Sequence, residues 1–336
     1  MNFKEVLESS SYDFLRNDIK IKDNILFLVV AGSYAYGTNT KTSDLDIRGV
    51  ILESETDTLG LTDFEQYIDS KTDTVLYSLK KFLRLVRECN PNIIELLYSK
   101  PEHYLYVSPL GKILLDNRDL FLTKRAVYSF SGYANAQLNR LENAIARDKL
   151  NAHDRLEHIN RSIINVKSSF ESDFKLKKDS VKTYVSSYDN KDEELLVDID
   201  IKHYPLTKLK SLVDSMNNVL KDYSKKSEQV YNTKDDIHLN KHMMHLVRLY
   251  LMCNEILEYG TLHTYREDEH DLLMNIREGK YRDFGGNVSK EFYTLIDTLK
   301  EKCDRLKDTT KLKDSVDKEE FKRLVLTLYR KAREWI

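Results

Sequence analysis

The stretch from Asn24 to Val50, NILFLVVAGSYAYGTNTKTSDLDIRGV, constrains this chain more than any other. An apolar run, Ile25 to Val30, ends in a small-residue turn that opens with Ala31, Gly32 and Ser33, the pattern of a buried strand delivering a turn. A polar loop, Thr38 to Ser43, leads to Asp44-Leu45-Asp46-Ile47, where acid and aliphatic alternate. Strand side chains alternate between faces, so Asp44 and Asp46 share one side while Leu45 and Ile47 turn toward the core. Neighbouring carboxylates repel each other unless a cation sits between them. Oxygen ligands with room left for phosphate oxygens suit a pair of Mg²⁺ or Mn²⁺ ions. The plainer alternative is a β-hairpin with two solvated acids.

Composition narrows the classes. A chain of 336 residues has room for about two domains. Charged residues make up 32% and nearly cancel, leaving a formal net charge of −2, so any grip on nucleic acid must come from a local basic face. Ten Gly and four Pro are few for this length and favour a helix-rich architecture. Cys89, Cys253 and Cys303 are odd in number and far apart, which fits reduced structural thiols and no thiolate zinc site. The amino terminus lacks the apolar run of a signal peptide, and no apolar stretch approaches the ~20 residues of a membrane span. The expectation is a soluble, cytoplasmic protein with no membrane partner.

Gly32-Ser33 followed by Asp44-x-Asp46 resembles the signature of the DNA-polymerase-β-type nucleotidyltransferase superfamily. The longer string GSYAYGTNTKTSDLDIRGV is similar to its bacterial and phage branch of nucleotidyltransferases, which includes members associated with RNA repair. The resemblance implies an α/β nucleotidyltransferase domain with a small mixed sheet, followed by a mostly α-helical domain. We place the first at 1–115 and the second at 116–336, the latter carrying a charged insertion at about 149–236. In this superfamily the turn opens into a helix, so the amides near Gly32 and Ser33, with the Ser33 hydroxyl, would meet a nucleoside triphosphate. Ser33 as a plain N-cap is the alternative. Tyr34 and Tyr36 would stack on a base or cover the sheet edge. Arg48 would clamp phosphate or neutralise Asp46.

Two-ion nucleotidyl transfer needs a further carboxylate near the incoming hydroxyl, supplied from a later strand. Lys71 to Tyr77 is strand-like and precedes an amphipathic helix, Leu79 to Cys89, which makes Asp73 the candidate, with Asp63 and Asp69 as rivals. Residues 53–70 read as the connection. Asn90 to Tyr98 reads as a stop, a proline-started helical turn and an apolar strand-like end; Glu95 in it supports the site or caps its helix. The first twenty residues predict an amphipathic helix or a pair of short ones, and 118–147 a helical region.

His238 to Leu257 is the second informative stretch. On a helix at ~100° per residue, His238, Lys241, His245 and Arg248 form a narrow stripe. Lys241-His242-x-x-His245 resembles the part of the helical domain that closes over the nucleotide, which makes Lys241 and Arg248 candidates for triphosphate contact, with His242 and His245 nearby. A solvated face and a transition-metal site are the alternatives. Arg277 reaches phosphate or caps its helix. Between these regions, Lys175, Lys177, Lys178, Lys221, Lys225 and Lys226 with Tyr184, Tyr188 and Tyr204 read as a mixed-charge insertion or as an RNA-contacting module.

The function expected from this set is metal-dependent transfer of NMP from an NTP, for example ATP, to a hydroxyl, with release of pyrophosphate. Asp44, Asp46 and Asp73 would hold two Mg²⁺ or Mn²⁺ ions, and an RNA 3′ end is the first-choice acceptor. A small-molecule or protein acceptor, or a non-catalytic nucleotide sensor or antitoxin-like module, are the competing readings.

Overall fold

A computed structural model of the chain describes residues 3–149, 152–174, 177, 179–187, 192–224, 233–283 and 287–335. Two short helices, α1 (Phe3–Leu7) and α2 (Phe14–Asn17), precede strand β1 (Ile25–Ala31). Helix α3 (Gly32–Tyr36) then turns the chain into β2 (Asp46–Ile51), α4 (Glu55–Thr58), β3 (Gln66–Asp69) and β4 (Thr74–Ser78). Next come α5 (Leu79–Arg87), α6 (Pro91–Leu97), β5 (Tyr104–Val107) and α7 (Pro109–Asp116).

The five strands form one mixed sheet in the order β3-β4-β2-β1-β5, with β2 and β4 parallel and the other pairs antiparallel. Every residue of β1 is buried, because this inner strand is covered on both faces. Directly paired residues share a face, so Ala31 stands beside Asp46 and Arg48 beside Val29 and Val75 on one side. On the other side Leu28, Val30, Ile47 and Leu76 pack with Tyr12, Leu15 and Ile21, and Phe3 and Tyr34 lie against that cluster. Tyr34 therefore serves packing, its ring meeting the edge of Phe3.

Helix α8 (Arg125–Lys149) is followed by α9 (Ala152–Phe174), the hairpin β6 (Val181–Ser187) and β7 (Glu193–Ile199), and α10 (Leu206–Ser224). Then come α11 (Thr233–Tyr259), α12 (His270–Arg277), α13 (Lys290–Thr309) and α14 (Lys318–Trp335). This is the α/β nucleotidyltransferase-type sheet followed by a largely helical region that the sequence predicts.

The chain forms two compact units. One comprises Met1–Gln137 with Met243–Ile336, the other Leu138–His242. The division differs from a boundary at 115/116: residues after 243 belong to the sheet-containing unit, since Arg248, Thr264, Arg266 and Arg277 bond to residues of α3, α6 and the loop after α3. The second unit packs α9 against α10 and the β6–β7 hairpin, with Val181 and Leu212 at its centre and Ile201, Tyr204 and Met216 around them. Lys175, Lys178, Tyr188, Lys225 and Lys226 lie outside the described residues, as does the side chain of Lys221.

Three local expectations need correction. β2 begins at Asp46, not Asp44. Pro91–Leu97 is one helix to its end, capped by the Asn90 side chain accepting from the Asn92 amide at 3.1 Å, because a helix buried almost all round is as continuously apolar as a strand. β3 and β5, which complete the sheet edges, are four residues each, too short to stand out in the sequence. No helix among the described residues is long and apolar enough to cross a membrane.

Candidate active site

The turn after β1 is built around Gly32. Its φ of +60° lies in the left-handed region, and a β-carbon there would stand 1.8 Å from Oδ2 of Asp46. Glycine is thus required both by the backbone and by the carboxylate that rests on it. Ala31 is the N-cap of α3, so Ser33 is not one; its carbonyl accepts the Thr38 amide at 2.9 Å, and its hydroxyl has no hydrogen bond among the described residues.

Asp44 is exposed, two residues ahead of β2, while Asp46 at the strand's start is half-buried. Because β4 runs parallel to β2 with Thr74 opposite Ile47, Asp73 arrives at the neighbouring strand start, with φ +48°. Arg48 lies between the two: its Nη2 is 3.3 Å from Asp46 Oδ1 and 3.5 Å from Asp73 Oδ1. The same guanidinium donates to the carbonyls of Ile47 and Asp73, which fixes its plane. Arg48 therefore neutralises both acids here. Asp69 is engaged elsewhere: it accepts from the Thr72 amide and hydroxyl and the Lys71 amide to close the β3–β4 turn, which holds its carboxyl below the usual range. Asp63 is exposed.

Among the described residues no group of three or more His, Cys, Asp or Glu gathers into a ligand set. The structure thus brings Asp46 and Asp73 to one guanidinium and does not gather Asp44, Asp46 and Asp73 around a point. What it offers a hard divalent ion is carboxylate oxygen at Asp46, cradled where a β-carbon is missing, with Asp44 close in sequence and exposed. That donor set fits an ion completing its shell with water and phosphate oxygens. For the alternative pairs His238/His242 and His242/His245, no group of three or more potential metal ligands forms among the described residues.

Behind the turn lies a buried polar cluster. The Tyr36 hydroxyl donates to Glu95 Oε2 at 2.6 Å, Arg248 Nη1 donates to Glu95 Oε1, and the Arg248 guanidinium carbon sits 3.7 Å from the Tyr36 ring centroid. Only 5% of either charged side chain is exposed, so neither charge is shared with solvent. Burial above all keeps the Tyr36 phenol protonated far beyond its ordinary range, against the pull of Arg248. Burial works against the Arg248 charge too, yet Glu95 and Tyr36 hold its pKa above the ordinary value.

These contacts redirect two expectations. The Tyr36 ring is held in this cluster and not presented for stacking, and Arg248 is committed to Glu95. On α11, His245 meets the Tyr36 ring edge-on at 6.3 Å, whereas His242, half-buried, and Lys241, exposed, both belong to the other unit. Glu95, which the sequence offers either as a support of the site or as a capping residue, is the hub of this cluster. Its carbonyl also accepts the Thr264 hydroxyl at 2.8 Å. Arg277 caps no helix: it donates to the Thr38 carbonyl and lies 3.4 Å from Ser43 Oγ, tying down the loop that leads to Asp44.

Between the acids and this cluster opens a cavity of about 250 Å³, bounded by Gly32, Tyr36, Arg48, Tyr77, Asn92 and Glu95 among others.

Residues 7–168, a little under half of the chain, match the model of a family described as the RNA repair pathway DNA polymerase beta family. The match supports a polymerase-β-type nucleotidyltransferase family for this part of the chain. The matched residues include the turn, all three acids, Arg48 and Glu95; Lys241, His242, His245 and Arg248 fall outside them. A relative in Enterobacteria phage T4, an uncharacterized 38.9 kDa protein of the nrdC-mobD intergenic region, is 28% identical over 123 residues, covering 32% of this chain and 36% of the relative. The chain thus spans little more than a third of that relative's length. No solved structure matches the chain significantly.

Proposed function

We propose that this chain transfers a nucleoside monophosphate from an NTP to a hydroxyl and releases pyrophosphate. The observation that carries the reading is the seat of the Asp46 carboxylate on a glycine that opens α3, with Arg48 and Asp73 alongside. Asp44 and Asp46 would hold Mg²⁺ or Mn²⁺, which when bound activates the attacking hydroxyl and neutralises charge on the triphosphate. The acceptor oxygen attacks the α-phosphorus as the bond to the pyrophosphate oxygen breaks. Asp73, exposed beside Arg48, takes the proton from the hydroxyl. The Ser33 hydroxyl and the amides at the start of α3 face the β- and γ-phosphates, and Arg48 moves from the acids to the developing negative charge. Arg248 acts indirectly, by holding Glu95 and Tyr36 behind the turn.

An RNA 3′ end is the acceptor this reading favours, supported by the family's RNA-repair description and by Lys177 and Tyr184, both exposed in the second unit. The test is incubation with each α-labelled NTP, Mg²⁺ and RNA, a small-molecule hydroxyl or protein. Transfer of label to RNA that disappears in the Asp44→Ala/Asp46→Ala double variant is the expected result; label transfer that persists in that variant refutes the assignment. Tight NTP binding without turnover on any acceptor would instead identify a nucleotide sensor.

A further inference from the structure

We propose that the cavity beside Arg48 seats the nucleobase of the incoming nucleoside triphosphate, and that Asn92 and Tyr77 select which base it is. This rests on the nucleotidyl-transfer reading of the acids and adds the specificity that reading leaves open.

Size comes first. About 250 Å³ falls just short of the ~300–1,000 Å³ typical of sites that enclose a whole small-molecule ligand. The space admits one ring system, not a complete nucleotide, so a triphosphate must lie outside it. Gly32 and Arg48 belong both to the cavity wall and to the acidic site, which places the phosphate end at their side and the interior beyond.

The lining chemistry points the same way. The wall is mixed and somewhat more polar than apolar, with Val30, Ala31, Ala35, Val75 and Leu96 supplying its apolar part. Most polar groups present are already used. The Ser99 and Thr264 hydroxyls both donate to the Glu95 carbonyl, the Glu95 carboxylate is taken by Tyr36 and Arg248, and Arg48 is held by Asp46 and Asp73. Two side chains remain without a hydrogen bond among the described residues, the Tyr77 hydroxyl and the Asn92 carboxamide.

A carboxamide presents an amino donor group and a carbonyl acceptor side by side in one plane, the arrangement that matches the adjacent donor and acceptor on a base edge. A sugar would need more hydroxyl partners than these, and Arg48, the one cation among the lining residues, stands on the side of Asp46 and Asp73, where the proposed reaction places the phosphates. Asn92 is exposed on the first turn of α6, and Tyr77 is half-buried on β4 near Arg48.

Equilibrium titration with each of the four ribonucleoside triphosphates and with inorganic tripolyphosphate, in Mg²⁺ without acceptor, tests this. Wild-type protein is expected to bind one NTP at least about tenfold tighter than tripolyphosphate, roughly the effect of one well-made hydrogen bond. Asn92→Ala and Asn92→Asp are expected to lose about that factor for the preferred NTP and to level the four affinities, with tripolyphosphate unchanged. Tyr77→Phe is expected to weaken the preferred NTP several-fold. Asp is well tolerated in the first turn of a helix, so Asn92→Asp keeps the test open should the alanine variant fold poorly.

Equal affinity for NTPs and tripolyphosphate, or an Asn92 effect that falls equally on tripolyphosphate, overturns the base site while leaving the acidic site intact. Failure of wild-type protein to bind either probe overturns both readings together.

Discussion

The Asp46 carboxylate occupies the space that a β-carbon on Gly32 would fill, the built atom standing 1.8 Å from Oδ2. Gly32→Ala must therefore both strain a backbone at φ +60° and push the acid off its seat. Gly60 is the matched control, since its φ is +77° and nothing lies within 4 Å of a β-carbon built there. Both alanine variants are expected to lose about 1–2 kcal/mol in urea unfolding. Only Gly32→Ala is expected to lose label transfer, by at least about a hundredfold, as for removal of a key electrostatic contact. Equal transfer by the two variants would show that the seat is structural only.

Glu95 and Arg248 join α6 to α11 through a charge pair with almost no exposure. Removing one partner leaves the other buried and unpaired, so Glu95→Leu and Arg248→Met are each expected to destabilise the protein by about 3–5 kcal/mol. The double variant Glu95→Leu/Arg248→Met is expected to recover most of that, because replacing both charges by apolar groups removes the uncompensated burial. Urea midpoints for the three variants check it, and strictly additive losses would contradict it.

How much of this was visible beforehand depended on whether a residue's role was local. Ile25–Val30 and the Gly-Ser turn were legible, because a continuous apolar run and a glycine each report a local requirement. Asp73 was legible as an acid before a strand, and the parallel pairing of β2 with β4 brings it next to Asp46. The partners of Glu95 are not legible, since Tyr36 and Arg248 lie 59 and 153 residues away and no spacing rule connects them. Arg248 differs from its sequence pattern for the same reason: on a helical wheel it extends a cationic stripe, and only the packing turns it inward onto Glu95. Arg277 reads as a helix-terminal cation, whereas its guanidinium reaches a loop more than 230 residues earlier.

That loop yields a further prediction. Arg277 donates to the Thr38 carbonyl and reaches Ser43, so it holds both ends of the segment that delivers Asp44. Arg277→Ala is expected to speed amide hydrogen exchange across residues 38–44 at least about tenfold, the effect of losing more than 1 kcal/mol of local stability. Exchange in α5, remote from this contact, is expected to stay unchanged. Arg277→Lys keeps one donor but not the fork, and should fall between the two. Unchanged exchange at 38–44 would mean that the loop is held by its own turn, closed by the Thr40 amide on Ser43 Oγ at 2.8 Å.

His103 gives the protein a pH dependence whose sign is fixed by its surroundings. The residue is buried, its Nδ1 has no hydrogen-bond partner, and Phe3 and Tyr265 each place a ring about 6.0 Å from the imidazole. Burial, with Lys100 adding to it, lowers the pKa below the ordinary histidine value of 6.5. In the window between the lowered value and 6.5 the unfolded chain binds the proton and the folded one does not. The stability from neutral His103 is thus full above that window and is lost as pH falls through it, with a slope that cannot exceed ~1.4 kcal/mol per pH unit for one proton. Urea midpoints from pH 8 to pH 5 are expected to fall on the acid side for wild-type protein and to fall less for His103→Gln. The His103 Cε1 proton is expected to titrate below pH 6.5 by NMR, and a midpoint above that value would reverse the sign.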